Sequence, residues 1–261
     1  MTTWSIDRAA TELLAAEDSR IDRGPITAEW AELDVSTAYA VQDETLRRRL
    51  ARGEKLIGVK LGLTSRAKQR RMNVNSPLVA WLTDAMVLPA GEAVPQQEFI
   101  HPRVEPEIVF VMRRRLAGPG VTAAEALTAV EAVYGGAEII DSRYRDFRFT
   151  LADVIADNAS SGGFVLGPVA RGPFDIDLGL EAVLVEADGR VVDSATGAAV
   201  QHHPAEALAL AANDLGRRGK AIEAGQLVLT GGMTDALPAG PGTRTAFHFT
   251  TLGSIFVSGG Q

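Results

Sequence analysis

The chain has 261 residues, 46% of them hydrophobic and 23% charged, enough for one large domain or a main domain with an appendage. A net charge of -7 with scattered basic residues offers no nucleic-acid footprint. The absence of cysteine excludes disulfides, zinc-thiolate sites and thiol nucleophiles, and with no secretory leader and no membrane-length apolar run the expectation is a cytoplasmic protein.

The first fifty residues read as helical. Ile6, Ala9, Ala10, Leu13 and Leu14 recur at helical spacing, Gly24-Pro25 interrupts the pattern, and Asp34 or Ser36 caps a second helix that ends at Gly53. The expected organisation is a helical N-terminal extension over 1–53 and a β-rich domain carrying the chemistry over 54–261. That domain opens on a strand, Leu56 to Leu63. Ile57, Val59, Leu61 and Leu63 share one face, and Gly58, Lys60, Gly62 and Thr64 share the other. Lys60 between two glycines leaves room for a close approach. It is either an ionisable group in a site or a surface lysine. Thr64 or Ser65 then caps a short helix to about Met72, and Asn75-Ser76-Pro77 reads as a turn. Asp84 follows, just before a short strand that ends near Pro89.

Arg103 to Met112 is the most informative stretch. It is a strand rich in Val, Ile and Phe, and both its faces turn apolar after Glu107, as in a buried strand. Alternation puts Glu105 and Glu107 on the same face. Two buried carboxylates side by side repel, and a hard divalent cation with oxygen ligands removes that cost. The bland alternative is a pair of solvated glutamates at a frayed strand end, and Pro106 favours such an edge position. His101, just upstream, reads equally as a ligand or base and as part of a rigid connection.

Thr122 begins a helix expected to run to about Val133, and Ala137 to Ser142 reads as a buried strand carrying Glu138 and Asp141. Arg143, Arg145 and Arg148 follow among Tyr144, Phe147 and Phe149, either an anion-binding loop or a surface loop anchored by aromatics. Asp188-Gly189 between two apolar runs is a hairpin turn, His203-Pro204 opens a helix, and Leu227 to Leu229 runs into the turn Thr230-Gly231-Gly232-Met233-Thr234. Irregular alternation of strands and helices argues against a regular parallel array. The fold class expected is α+β, a mixed, largely antiparallel β-roll with peripheral helices.

Six stretches in order then carry a resemblance. They are Gly58 to Ser65, Leu82 to Met86, His101 to Glu107, Glu138 to Tyr144, Val154 to Ser160 and Leu229 to Thr234. Together the chain resembles the hydratase and decarboxylase branch of the fumarylacetoacetate hydrolase superfamily over nearly its whole length. The run Ile140 to Phe149, with Asp153 to Asn158 and Leu82-Thr83-Asp84, is more similar to the decarboxylases. Gly162-Gly163 departs from the bulkier residues of the family. The resemblance implies a β-roll fold and a Mg²⁺ or Mn²⁺ site on Glu105, Glu107 and Glu138. It implies Lys60 as the active-site lysine, with Asp84 a second catalytic candidate. Thr64, Ser65, Arg143, Ser160 and Thr234 are the candidate substrate contacts. The implied substrate is a small dicarboxylate 2-oxo acid, 2-oxo-3-hexenedioate, decarboxylated in catechol meta-cleavage. Hydration of 2-hydroxypentadienoate is the alternative. A homo-oligomer and a complex with the pathway hydratase are further implications, with no nucleic-acid or membrane partner.

Overall fold

The computed structural model describes residues 3–65, 69–70 and 77–260. Most of the helix expected after Thr64, and Asn75 and Ser76 of the expected turn, lie outside the described residues. Helices α1 (Ile6–Ser19) and α2 (Val35–Ala51) form where the spacing predicts, and the side chains of Ser5 and Asp34 accept the backbone N–H groups of Arg8 and Thr37. α1 buries Ala9, Ala10, Leu13 and Leu14 and packs on α2.

Two sheets carry the rest. The larger has seven strands: β1 (Leu56–Gly62), β2 (Leu78–Thr83), β3 (Arg103–Met112), β4 (Val130–Ile140), β5 (Ser161–Leu166), β8 (Leu227–Leu229) and the two-residue β9 (Leu237–Pro238). Its order is β2-β1-β8-β3-β4-β5, with β9 added beside β3. The smaller sheet is β11-β10-β6-β7, from β6 (Ala182–Ala187), β7 (Arg190–Thr196), β10 (Arg244–Phe249) and β11 (Ser254–Ser258). Among the described strands only β1 and β8 pair in parallel, so the fold is the expected mixed, largely antiparallel roll. The β6–β7 hairpin turns on Asp188 and Gly189, both at positive φ. Helices α3 (Ala123–Thr128), α4 (Leu151–Ala156) and α5 (Pro204–Arg217) lie against these sheets, and α4 packs on α2. No helix among the described residues is long and apolar enough to cross a membrane.

β3 organises the core because its faces serve different purposes. Ile108, Phe110 and Met112 join the main core with Leu208 and Leu215 of α5 and Val183, Val185 and Phe247 of the smaller sheet. Each such side chain contributes about 1.5–3 kcal/mol when fully buried. The opposite face packs Val109 on Leu229, Leu82, Met86 and Phe164, and continues into Glu107 and Glu105. The edge position that Pro106 favours is not what forms, since β3 lies inside the sheet. Proline is tolerated there because the turn between β8 and β9 replaces the regular ladder, with Met233 N–H donating to the Pro106 carbonyl. The helix after Thr122 also ends earlier than expected, at Thr128. Val130, Val133 and Tyr134 suit a strand, and β4 pairs with β3 along the length of β3.

Candidate metal centre and pocket

The β3–β4 register builds the site. Glu105 stands directly opposite Glu138, and Glu107 lies opposite Gly136, one repeat along the same face. Like charges directly across a strand pair destabilise a sheet. Here they are also removed from water, with Glu105, Glu107 and Glu138 at 8%, 0% and 1% exposure. One carboxylate oxygen from each lies within 4.8 Å of the others. Glu107 Oε1 and Glu138 Oε1 are buried without a hydrogen-bond partner, while Glu107 Oε2 accepts the Gly231 N–H at 2.7 Å. Such a convergent, all-oxygen set fits a hard divalent cation, which takes carboxylate ligands and keeps positions for water and substrate.

Lys60 reaches the cluster from β1, in a cross-sheet row through Leu229 of β8 to Val109 of β3. Its Nζ donates to Glu138 Oε2 at 3.3 Å and lies 3.1 Å from Oε1. At 2% exposure it is no surface lysine. The turn Thr230 to Thr234 closes over the same carboxylates. A Cβ on Gly231, at φ 109°, would meet Thr64 Oγ1 at 2.1 Å, and one on Gly232 would meet Glu105 Oε2 at 2.3 Å. Only glycine lets the turn press this close.

Beside the cluster opens a pocket of about 560 Å³. Lys60 and Glu105 lie on its inner wall, with Leu63, Phe147, Phe149, Val154, Ala159, Ser160, Arg103 and Asp235 completing much of the lining. Ser160, an expected substrate contact, is therefore on the wall, and its Oγ donates to Asp157 Oδ2 at 3.2 Å. It is set there by three consecutive left-handed residues, Asn158, Ala159 and Ser160, at φ 50°, 51° and 58°. That strain is held by the Asn158 side chain, which accepts the Trp81 N–H and donates to the Trp81 carbonyl, both at 2.9 Å.

Other expected residues sit elsewhere. Arg143 is buried and turned from the pocket. Its guanidinium binds the Asp157 carboxylate and donates to the backbone carbonyls of Asp157 and Ser161. Burial pushes Asp157 up to about 6 against the pull of Arg143. Arg143 thus anchors the strained turn. Asp84 is exposed, and its Oδ1 accepts the Lys55 N–H at 2.8 Å. Lys60 pairs with Ala80, so Asp84 lies four residues (84 − 80) beyond Lys60's partner on β2, about 13 Å at strand rise. That register sets it apart from the Lys60 and Glu138 pair. Thr64 is buried against Gly231, and its carbonyl accepts from Gln201 N and Nε2. The Ser65 carbonyl accepts from Gln69 N, and Thr234 Oγ1 donates to the Asp235 carbonyl. Gly162 and Gly163 face Phe99 and Leu88 instead of the pocket. Arg103, absent from the expected set, is a pocket residue that the alternation Arg103, Glu105, Glu107 predicts on one face.

Burial and the neighbouring carboxylates hold Glu107 well above the ordinary 4.5, and burial with the nearby Glu105 raises Glu138 despite the opposing pull of Lys60. Above the unfolded value, the native cluster retains protons that the unfolded chain has released. Without metal, stability therefore falls as pH rises through that window. A bound cation displaces those protons, so its stabilisation grows with pH. Thermal melts in chelator from about pH 5 to about pH 8 are expected to decline, while the shift on adding Mg²⁺ widens. A Mg²⁺ shift independent of pH counts against the cluster as the binding site.

No protein-family model matches the chain. It is 41% identical over 230 residues to a 4-oxalocrotonate decarboxylase of Pseudomonas sp. (strain CF600), covering 88% of this chain and 87% of the relative. It is 39% identical over 254 residues to a 2-hydroxyhexa-2,4-dienoate hydratase of Comamonas testosteroni, covering 97% and 96%. Among solved structures it is similar to the 4-oxalocrotonate decarboxylase from Pseudomonas putida G7 complexed with magnesium and adipate. That match has a TM-score of 0.93, 37% identity and 99% coverage of both chains.

Proposed function

The chain belongs to the hydratase and decarboxylase branch of the fumarylacetoacetate hydrolase superfamily, and from that membership we propose that it decarboxylates 2-oxo-3-hexenedioate to 2-hydroxypenta-2,4-dienoate and CO₂. The observation that carries the reading is the buried cross-strand cluster Glu105, Glu107 and Glu138 with Lys60 at 3.1 Å from Glu138. These three carboxylates are the proposed holders of Mg²⁺ or Mn²⁺. When bound, the ion supplies Lewis acidity at the 2-oxo acid end of the substrate.

The remaining work belongs to the chain. Breaking the bond to the distal carboxylate releases neutral CO₂ and leaves an electron pair that spreads through the conjugated carbons to the 2-oxo oxygen. The Lys60 ammonium, fixed beside the cluster, offsets that developing charge and is placed to move a proton. Phe147, Phe149, Leu63 and Val154 give the carbon chain an apolar wall that keeps water from it. Ser160, held by Asp157, supplies a polar contact on the same wall.

The hydratase reading draws on the 39% identity to a hydratase over 97% of the chain. Purified protein with Mg²⁺ separates the two. CO₂ release from 2-oxo-3-hexenedioate, without consumption of 2-hydroxypenta-2,4-dienoate, supports the decarboxylase; the opposite pattern assigns a hydratase. We place the enzyme in the cytoplasm, in keeping with its lack of cysteine. A homo-oligomer and contact with a hydratase belong to the same proposal, because the dienol product ketonises in water and direct transfer protects it. Co-elution of the two purified proteins tests that part.

A further inference from the structure

We propose that Arg103 recognises the distal carboxylate of the substrate and so sets a preference for dicarboxylate over monocarboxylate 2-oxo acids; this rests on the decarboxylase reading above. Alternation along β3 puts Arg103 on the face of Glu105 and Glu107. Arg103 pairs with Pro238 of β9 and Ile140 of β4, at the end of β3. There it lines the same pocket as Glu105 and Lys60. The side chain is exposed, and its guanidinium carbon lies 4.3 Å from the centroid of the Phe147 ring. Phe147 is in turn backed by the His101 ring at 4.8 Å. Among the described residues the Arg103 guanidinium makes no ion pair. The guanidinium sits over the aromatic ring and makes no side-chain hydrogen bond among the described residues, an arrangement that suits capture of a carboxylate.

Three other cations among the described residues near the pocket are committed, and Arg148 is not among those that line it. Lys60 is buried against Glu138, Arg143 against Asp157, and Arg145 pairs with Asp22 at 3.0 Å. The spacing also fits. Two residues along a strand span about 6.7 Å, comparable to five carbon–carbon bonds of about 1.5 Å drawn out as a zigzag. A six-carbon diacid with its 2-oxo end at the carboxylate cluster thus brings its far end to Arg103.

The contact belongs to the ground state. The carboxylate it holds becomes neutral CO₂, so its attraction fades toward the transition state, and the interaction governs binding more than turnover. The test is calorimetric titration of Mg²⁺-loaded wild type, Arg103→Gln and Arg103→Lys with 2-oxoadipate and 2-oxohexanoate, which differ by the distal carboxylate. Wild type is expected to favour 2-oxoadipate by about tenfold or more, on the scale of a charge-assisted contact. Arg103→Gln should bring the two ligands near parity with 2-oxohexanoate affinity unchanged, and Arg103→Lys should fall between. No preference in wild type, a preference that survives in Arg103→Gln, or equal loss of both ligands overturns the proposal. CO₂ release from 2-oxo-3-hexenedioate by wild type is measured alongside. Its absence removes the decarboxylase reading, and this inference with it. Release together with an unchanged preference in Arg103→Gln removes the role of Arg103 alone.

Discussion

Glu107→Gln is expected to abolish turnover and weaken Mg²⁺ binding by at least about a hundredfold, the upper end of what loss of an outer-shell partner alone costs. The same substitution should raise the melting temperature of the metal-free protein. Glu107 is fully buried, and that burial with Glu138 and Glu105 close by holds its pKa well above the ordinary carboxylate value. A glutamine has the same shape without the charge and offers amide N–H₂ donors to the neighbouring carboxylates. Its carbonyl can still accept the Gly231 N–H that Glu107 Oε2 accepts. Repulsion is relieved at every pH without a cavity. Each kcal/mol so gained raises the melting temperature by about 2–4 °C in a chain of this size class. Loss of metal binding together with gain of metal-free stability is a signature that a purely structural cluster does not produce. Calorimetric Mg²⁺ titration and paired melts with and without metal read both halves. A variant that melts lower without metal, or binds Mg²⁺ as wild type does, removes Glu107 from the metal centre.

Part of this was legible from residues alone, and the reason is local. Period-two alternation is a property of a single strand, so Glu105 and Glu107 share a face whatever β3 pairs with. The helices, the cap at Asp34 and the Asp188-Gly189 hairpin are equally local. Partnership is not. That Glu138 lies opposite Glu105 depends on the register of β3 with β4, which no spacing in the chain specifies; the family resemblance supplied it. The place of Asp84 is non-local for the same reason, since its distance from Lys60 is set by the β1–β2 register. The partner of Arg143 is no more legible, because an arginine among aromatics reads alike whether it meets a substrate or a buried Asp157 fourteen residues on. β2 gave no alternating pattern because all of its residues, Leu78 to Thr83, are buried. Arg103 carried a usable signal, two positions before Glu105, that attention to the acidic pair obscured.

Lys60→Met is expected to lower turnover by roughly two orders of magnitude or more, the scale of a positioned acid–base or charge-stabilising group. Methionine retains an unbranched chain of similar length, so the change removes charge without opening a large cavity. The consequences for stability depend on metal. Without it, Lys60 is the cation beside Glu138, and both are almost wholly buried. Deleting one partner of such a pair leaves a buried carboxylate uncompensated, which costs about 3–5 kcal/mol unless a proton is taken up instead. The metal-free variant should therefore melt lower than wild type, with the deficit growing as pH rises and that proton becomes harder to hold. With Mg²⁺ bound, the dication takes over the compensation, and the melting temperatures of variant and wild type should converge. Affinity for Mg²⁺ should rise, because a competing positive charge has gone. A strand packing against solvent would behave otherwise, with one melting deficit whether or not metal is present. Steady-state kinetics at saturating Mg²⁺, beside melts across pH with metal and with chelator, decide the matter. Near wild-type turnover in the metal-saturated variant would take Lys60 out of the chemistry. A melting deficit that Mg²⁺ does not repair would make it a folding residue instead.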